Sequence, residues 1–218
     1  MAQASPQPTR RAQRTRRVLL EEAERLFAEN GFEATRLEDV ATAVGIRRAS
    51  IVYHFKDKRE LYDAVLADVF SAYHAELASI FDTPGPLRER IEDAVRAWVD
   101  FVFRRPSLAR ILLREIANAG PAGSPAVRTH IQPFWKLIQR FIEENKAHEG
   151  STAIPIDAVY IAGAIAGCTV FFVTTIPSVA PELGFAPEDQ ESLERHRDEV
   201  LRLTRLLLGV EEHSESGG

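Results

Sequence analysis

Two short apolar patterns, Leu37 to Val44 and Arg48 to His54, stand three residues apart, and this spacing constrains the first part of the chain more than any other feature. Two helices of that length joined through a turn at Gly45 form a helix-turn-helix. Gly45 allows the tight reversal, and Val40 and Ile51 are placed to pack the pair together. The second helix is then left projecting, with Arg47, Arg48, Ser50, Tyr53, His54 and Lys56 available on its outside. No acidic side chain occurs from Val40 to Lys56. A helix of that composition suits the DNA major groove, with donors aimed at base edges and phosphates.

The rest of the chain reads as helix throughout. Leu19, Ala23, Leu26 and Phe27 make an amphipathic stripe between Thr15 and Asn30, with Gly31 as the stop. Thr35 and Glu38 are spaced as a capping box for the next helix, and Asp57 and Glu60 as another, launching a long helix to about Ile80. Thr83-Pro84-Gly85-Pro86 breaks the chain. Further helices are predicted at 87–104, 107–118, 125–146, 156–176 and 188–209, with Pro106, Pro125, Pro155 and Pro187 near their starts and Pro133 expected to kink the third of them. Strand-like alternation and internal repeats are both missing from the sequence. The expected fold is all-α, with about nine helices: a mobile basic arm over 1–13, a three-helix DNA-binding domain over 14–56, a larger helical ligand-binding and dimerisation domain over 57–210, and a disordered tail over 211–218.

Charge is divided unevenly along the chain. The first 60 residues carry 12 Lys or Arg against 9 Asp or Glu, and the remainder 15 against 23. A basic head on an acidic body implies that only the head meets phosphate. Arg10, Arg11, Arg14, Arg16 and Arg17 add a basic cluster that favours phosphate without sequence preference. The single cysteine, Cys168, excludes an internal disulfide and suits a reducing compartment. There is no signal-peptide core, and the apolar stretch Ala158 to Val173 falls short of the roughly 20 residues that span a bilayer, so a cytoplasmic protein is expected. No phosphate loop, Gly-x-Ser-x-Gly or paired zinc spacing occurs, which argues against an enzyme; no cofactor and no metal are expected. His54 has no second ligand at metal spacing on its face.

The run LFAENGFEATRLEDVATAVGIRRASIVYHFKDKRELYDAV, residues 26 to 65, resembles the DNA-binding segment of the TetR/AcrR family of transcriptional regulators. The matching elements are LFAENGF, Thr35, LEDVATAVG and YHFKDKREL, in order and at the right spacing. The resemblance implies that Arg48, Ser50, Tyr53 and His54 face DNA beside Arg47, that Thr35 and Arg36 touch phosphate at the start of the second helix, and that Lys58 does so at the start of the fourth. Two positions depart from the family pattern. Arg47 stands where a capping Ser or Thr is usual, and Val52 where an aromatic is frequent.

A single helix-turn-helix touches few phosphates, so a homodimer on a palindromic double-stranded operator is expected. The helix at 156–176, apolar nearly all round, and the one at 188–209 are the expected dimer interface, through Gly163, Gly167, Phe171, Val200, Leu203 and Leu207. Among the middle helices, Trp98, Phe101, Arg105, Leu112, His130, Phe134 and Ile138, with Thr169 and Phe172, are candidates to line a pocket for a small-molecule effector of unknown identity. The family mechanism implies a repressor released from its operator when the ligand shifts the long helix from Asp57 to Ile80. A DNA-binding dimer without small-molecule control, working through protein partners or as an architectural factor, is the alternative.

Overall fold

Thr9 sets where the first helix begins: its Oγ1 accepts from the Ala12 amide at 3.3 Å, and α1 (Arg10–Ala34) follows. The computed structural model describes residues 9–118, 125–146 and 158–208, and all regular structure among them is helical. The expected arm is therefore shorter than its predicted bounds, because Arg10 to Gln13 already belong to α1; residues 1–8 and the predicted tail at 211–218 lie outside the described residues. Gly31 breaks α1 internally with φ +82°, a conformation that side chains rarely adopt. That break turns Phe32 back onto Phe27 and Tyr62, whose rings lie 6.1 and 4.9 Å away.

The start of α2 (Leu37–Val44) differs from the predicted capping box. Arg36, one residue later than Thr35, is the N-cap, and its amide donates to Asp39 Oδ2 at 2.9 Å. Thr35 is buried instead, its hydroxyl within reach of the carbonyls of Gly31 (2.8 Å) and Leu26 (3.2 Å), so it ties α2 to α1. Gly45 ends α2 at φ +72°, and the Ile46 amide closes onto Ala41 O at 2.9 Å. After this turn comes α3 (Arg48–His54). Asp57 then caps α4 (Lys58–Asp82) by accepting from the Glu60 amide at 2.8 Å.

α4 runs through the middle of the molecule, packed against α1, α5 and α7. Its buried residues, Leu61, Tyr62, Val65, Leu66, Val69, Phe70, Tyr73 and Leu77, join one continuous core. Around it stand α5 (Leu87–Arg104), α6 (Pro106–Asn118), α7 (Pro125–Lys146), α8 (Ala158–Val179), a 3-10 turn at Pro181–Leu183, and α9 (Gln190–Leu207). Two boundaries differ from the sequence reading. α8 continues through Pro177 to Val179, and α9 begins at Gln190 because Asp189 accepts from the Ser192 amide at 2.9 Å. α7 likewise runs through Pro133. The apolar stretch expected to be too short for a bilayer is part of the 22-residue α8, and by length and composition both α4 and α8 reach that threshold. Both also contribute buried side chains to the shared core, α8 through Ile161, Ile165 and Val173.

Two buried polar groups hold the body together. Glu92 on α5 accepts from Arg205 on α9 at 2.8 and 3.0 Å and from Arg88 and Arg96 at 3.1 Å. The bonds from Arg205, chief among these, hold its carboxyl down to about 2. His196 on α9 is packed among Phe103, Phe172 and Phe185, with Thr169 Oγ1 at 3.4 Å from its Nε2. Burial pushes its imidazole down to about 4.

The two groups lose stability in different acid windows. The folded state keeps His196 neutral while the unfolded chain protonates it from 6.5 downward, so stability falls with pH between 6.5 and about 4. Glu92 favours the folded state above 4.5, and that contribution is lost as pH falls from there towards about 2. Urea unfolding at stepped pH should show both declines, with Glu92→Gln flattening the lower one alone. An unaltered lower decline in that variant would contradict this account of Glu92.

Candidate nucleic-acid interface

α3 is only seven residues long, too short to hold its shape without tertiary support. Ile51 (0% exposed) supplies that support, with Phe55 (2%) just beyond the helix. Arg16 of α1 lies over the Phe55 ring at 5.1 Å. With one side fastened, the opposite side is left to solvent. Arg47, Arg48, Ser50, Val52 and Tyr53 are all exposed, Tyr53 by 82%. Arg47 makes no side-chain cap for α3. His54 is half-buried edge-on to the Tyr53 ring at 5.2 Å, and burial, then the nearby Arg16 charge, lowers its pKa.

The flanking candidates divide. Arg36 is exposed at the start of α2, while the Thr35 hydroxyl is turned inward. Lys58 Nζ lies 2.6 Å from Phe32 O and 3.0 Å from Glu33 O, with the Phe32 ring 4.4 Å below it. It closes the end of α1, a task the sequence reading did not foresee. On α1, Arg10, Arg11, Arg14, Arg16 and Arg17 are exposed. Two neighbours of the recognition surface were also missed. Val52 is 48% exposed beside Arg48, one helical turn away, and Glu38 of α2 meets Arg48 Nε at 2.8 Å. The Val52 signal was present in the sequence as a departure from the family pattern; the Glu38 contact crosses the turn and leaves no local trace.

In the body, the candidate pocket residues fall into separate groups. Trp98, Phe101, His130 and Phe134 gather with Phe70 and Tyr73 of α4, whose Tyr73 ring stacks on Phe101 at 4.5 Å and on Phe134 at 5.2 Å. Trp98 Nε1 is buried there without a hydrogen-bond partner. Ile138 is half-buried against the same core, and Leu112 is buried within it. Thr169 and Phe172 belong instead to the cluster around His196. Arg105 is elsewhere: it pairs with Glu24 of α1 at 3.6 Å and with Asp68 of α4 at 3.8 Å, while Ser107 donates to Glu24.

The candidate interface residues also separate. Gly163, Gly167 and Phe171 are exposed on α8, and Leu203 is exposed on α9. Tyr160 on α8 and Leu206 on α9, exposed by 74% and 68%, were not anticipated. Val200 is 2% exposed and Leu207 is packed on the protomer's own core, which removes Val200 from any outer face. Cys168 is half-buried on α8, and burial raises its thiol pKa.

Residues 19–65, from the first buried residue of α1 to the first turns of α4, match the model of bacterial regulatory proteins of the tetR family. The HTH-type transcriptional regulator RutR of Escherichia coli K12 is 25% identical over 194 residues, covering 86% of this chain and 87% of that protein. The fold is shared with FadR of Bacillus subtilis, solved with stearoyl-CoA (TM-score 0.66, 15% identity, 86% of this chain and 96% of that one). It is also shared with AibR, solved with isovaleryl coenzyme A and operator DNA (TM-score 0.66, 17% identity, 87% and 97%). Residues 19–65 thus form a DNA-binding segment of the tetR-family kind, and the all-helical fold is the one that FadR and AibR share.

Proposed function

We propose that the protein is a homodimeric repressor of the cytoplasm that grips a palindromic operator through α3 and releases it when a small molecule enters the helical body. The observation that carries the DNA half is the one-sided packing of α3: Ile51 is fully buried, while Arg47, Arg48, Ser50, Val52 and Tyr53 are open on the other side. In this reading Arg48, Ser50 and Tyr53 meet base edges. Arg47, Arg36 and the arginines of α1 meet phosphate. His54 sits at the edge of the contact, and Lys58 serves the head's own stability. The functional head spans 14–56 and the body 57–210, with α4 common to both.

The dimer half rests on the apolar surface that Tyr160, Gly163, Gly167 and Phe171 of α8 present beside Leu203 and Leu206 of α9. A second copy seated there makes a four-helix interface, with the two glycines permitting close approach. The ligand half rests on the aromatic cluster of α4, α5 and α7. A buried indole N–H without a partner costs roughly 1–3 kcal/mol, which a ligand acceptor beside Trp98 would relieve. The ligands bound in the FadR and AibR structures make acyl-coenzyme A thioesters the first compounds to test.

Three outcomes are expected. Arg48→Ala and Tyr53→Ala should each weaken operator binding by roughly 1–3 kcal/mol in a gel-shift titration, with far smaller loss on unrelated DNA; unchanged affinity in both would displace α3 from the contact. Phe171→Glu combined with Leu206→Glu should yield monomers by sedimentation equilibrium, whereas a persistent dimer would move the interface elsewhere. An acyl-CoA that induces release must weaken operator affinity by the factor by which operator weakens its own binding, since the two sites are linked. Calorimetry with and without operator measures both, and an inducer indifferent to operator would rule out this switch.

A further inference from the structure

The ion pair between Arg48 and Glu38 is a poor device for stability. Both side chains are more than half exposed, at 63% and 53%, and pairs of that kind contribute little to folding. It also has a cost in binding. Glu38 is a carboxylate on a surface otherwise lined by Arg36, Arg47 and Arg48, close to where phosphates would run. A negative charge there opposes phosphate contact, because nonspecific affinity depends on cations replacing counterions.

The geometry suggests what offsets that cost. Glu38 Oε1 engages Arg48 through Nε, at 2.8 Å. Nε is the inner donor of the guanidinium fork. With the carboxylate nearest the Nε side, the two terminal nitrogens remain a planar pair of donors, the set that matches O6 and N7 of guanine. A free arginine side chain loses rotamer freedom on docking; one already held by a carboxylate on the neighbouring helix loses less. Val52, exposed by 48%, lies one turn along the same helix from Arg48.

We propose that Glu38 is a specificity-determining positioning residue: it aims Arg48 at guanine, improving discrimination between sequences while lowering affinity for DNA in general. The proposal rests on α3 being the recognition helix. Glu38 touches no base in this arrangement and acts through Arg48.

The test is selection from a library of random-sequence duplex DNA by the full-length dimeric protein, comparing wild type, Glu38→Gln, Glu38→Ala, Arg48→Ala and the Glu38→Ala, Arg48→Ala double variant. Both positions are exposed, and thermal melts verify that each variant is folded. Arg48→Ala should lower the preference for guanine at one symmetric pair of positions by about tenfold. Both Glu38 variants should lower it at those same positions by several-fold and bind unselected DNA more tightly than wild type. The double variant should select as Arg48→Ala does. A wild-type preference retained in both Glu38 variants overturns the proposal. So does a change confined to other positions, which would mean that Glu38 reads a base itself, as a carboxylate accepting from cytosine does. Selection unchanged in Arg48→Ala as well would remove the recognition-helix reading together with this one, and so is distinguishable from failure of Glu38 alone.

Discussion

A single helix belongs to two cores, and the rest of the molecule is arranged around that fact. The first turns of α4 bury Leu61, Tyr62 and Val65 beside the DNA-binding head, and its later turns bury Phe70, Tyr73 and Leu77 among the aromatic residues of α5 and α7. Helix backbones are stiff over such a length, so a displacement of Tyr73 is felt at Leu61 unless the helix bends. The buried side chains of α4 form one continuous stripe from Leu61 to Leu77 that serves both cores, while Asp68, Ser71, Ala72 and Ala75 are exposed.

Polar contacts reinforce the join from one side only. Tyr62 of α4 donates to Glu115 of α6 at 2.8 Å, Arg114 of α6 donates to the Glu29 carbonyl of α1 at 2.9 Å, and Glu24 of α1 takes Ser107 and Arg105 at the beginning of α6. Thus α6 touches the head at both of its ends. Glu24 is buried, and a buried carboxylate stripped of its partners is costly, so these contacts hold the head in one orientation and resist intermediate ones. These ties add α6 to the direct packing of α1 on α4, where the Phe27 and Tyr62 rings meet at 4.9 Å and Lys58 donates to Phe32 and Glu33.

The architecture was largely legible from periodicity because each helix buries one stripe and ends at a proline, glycine or capping carboxylate. The bounds 37–44, 48–54, 87–104 and 125–146 agree with the structure for that reason. Where local rules competed, the chain chose between them in ways that only packing explains. Thr35 satisfies every requirement of an N-cap, yet its hydroxyl answers two carbonyls of α1 and the cap passes to Arg36. Val200 and Leu203 stand three residues apart, about 60° around the helix, yet Val200 is buried and Leu203 exposed, and only the neighbouring α5 and α8 decide which is covered. Arg105 carries a mobile charge suited to a ligand, and the Glu24 that captures it is 81 residues distant in sequence. Pairings over such separations have no periodic signature.

The recognition surface shows the same division between what is local and what is not. That α3 exposes basic and aromatic side chains follows from the position of Ile51 within seven residues, and it is readable without coordinates. How those side chains are aimed is not. Arg47 leaves the helix start without a side-chain cap, so α3 depends on its neighbours for direction: Gly45 sets its entry, Arg16 covers Phe55 near its exit, and Glu38 holds its first residue. Each of these contacts originates outside α3. A helix too short to be stable alone takes its direction from the helices that flank it, so on the reading proposed above substitutions in α1 or α2 that never approach DNA would alter which bases α3 meets.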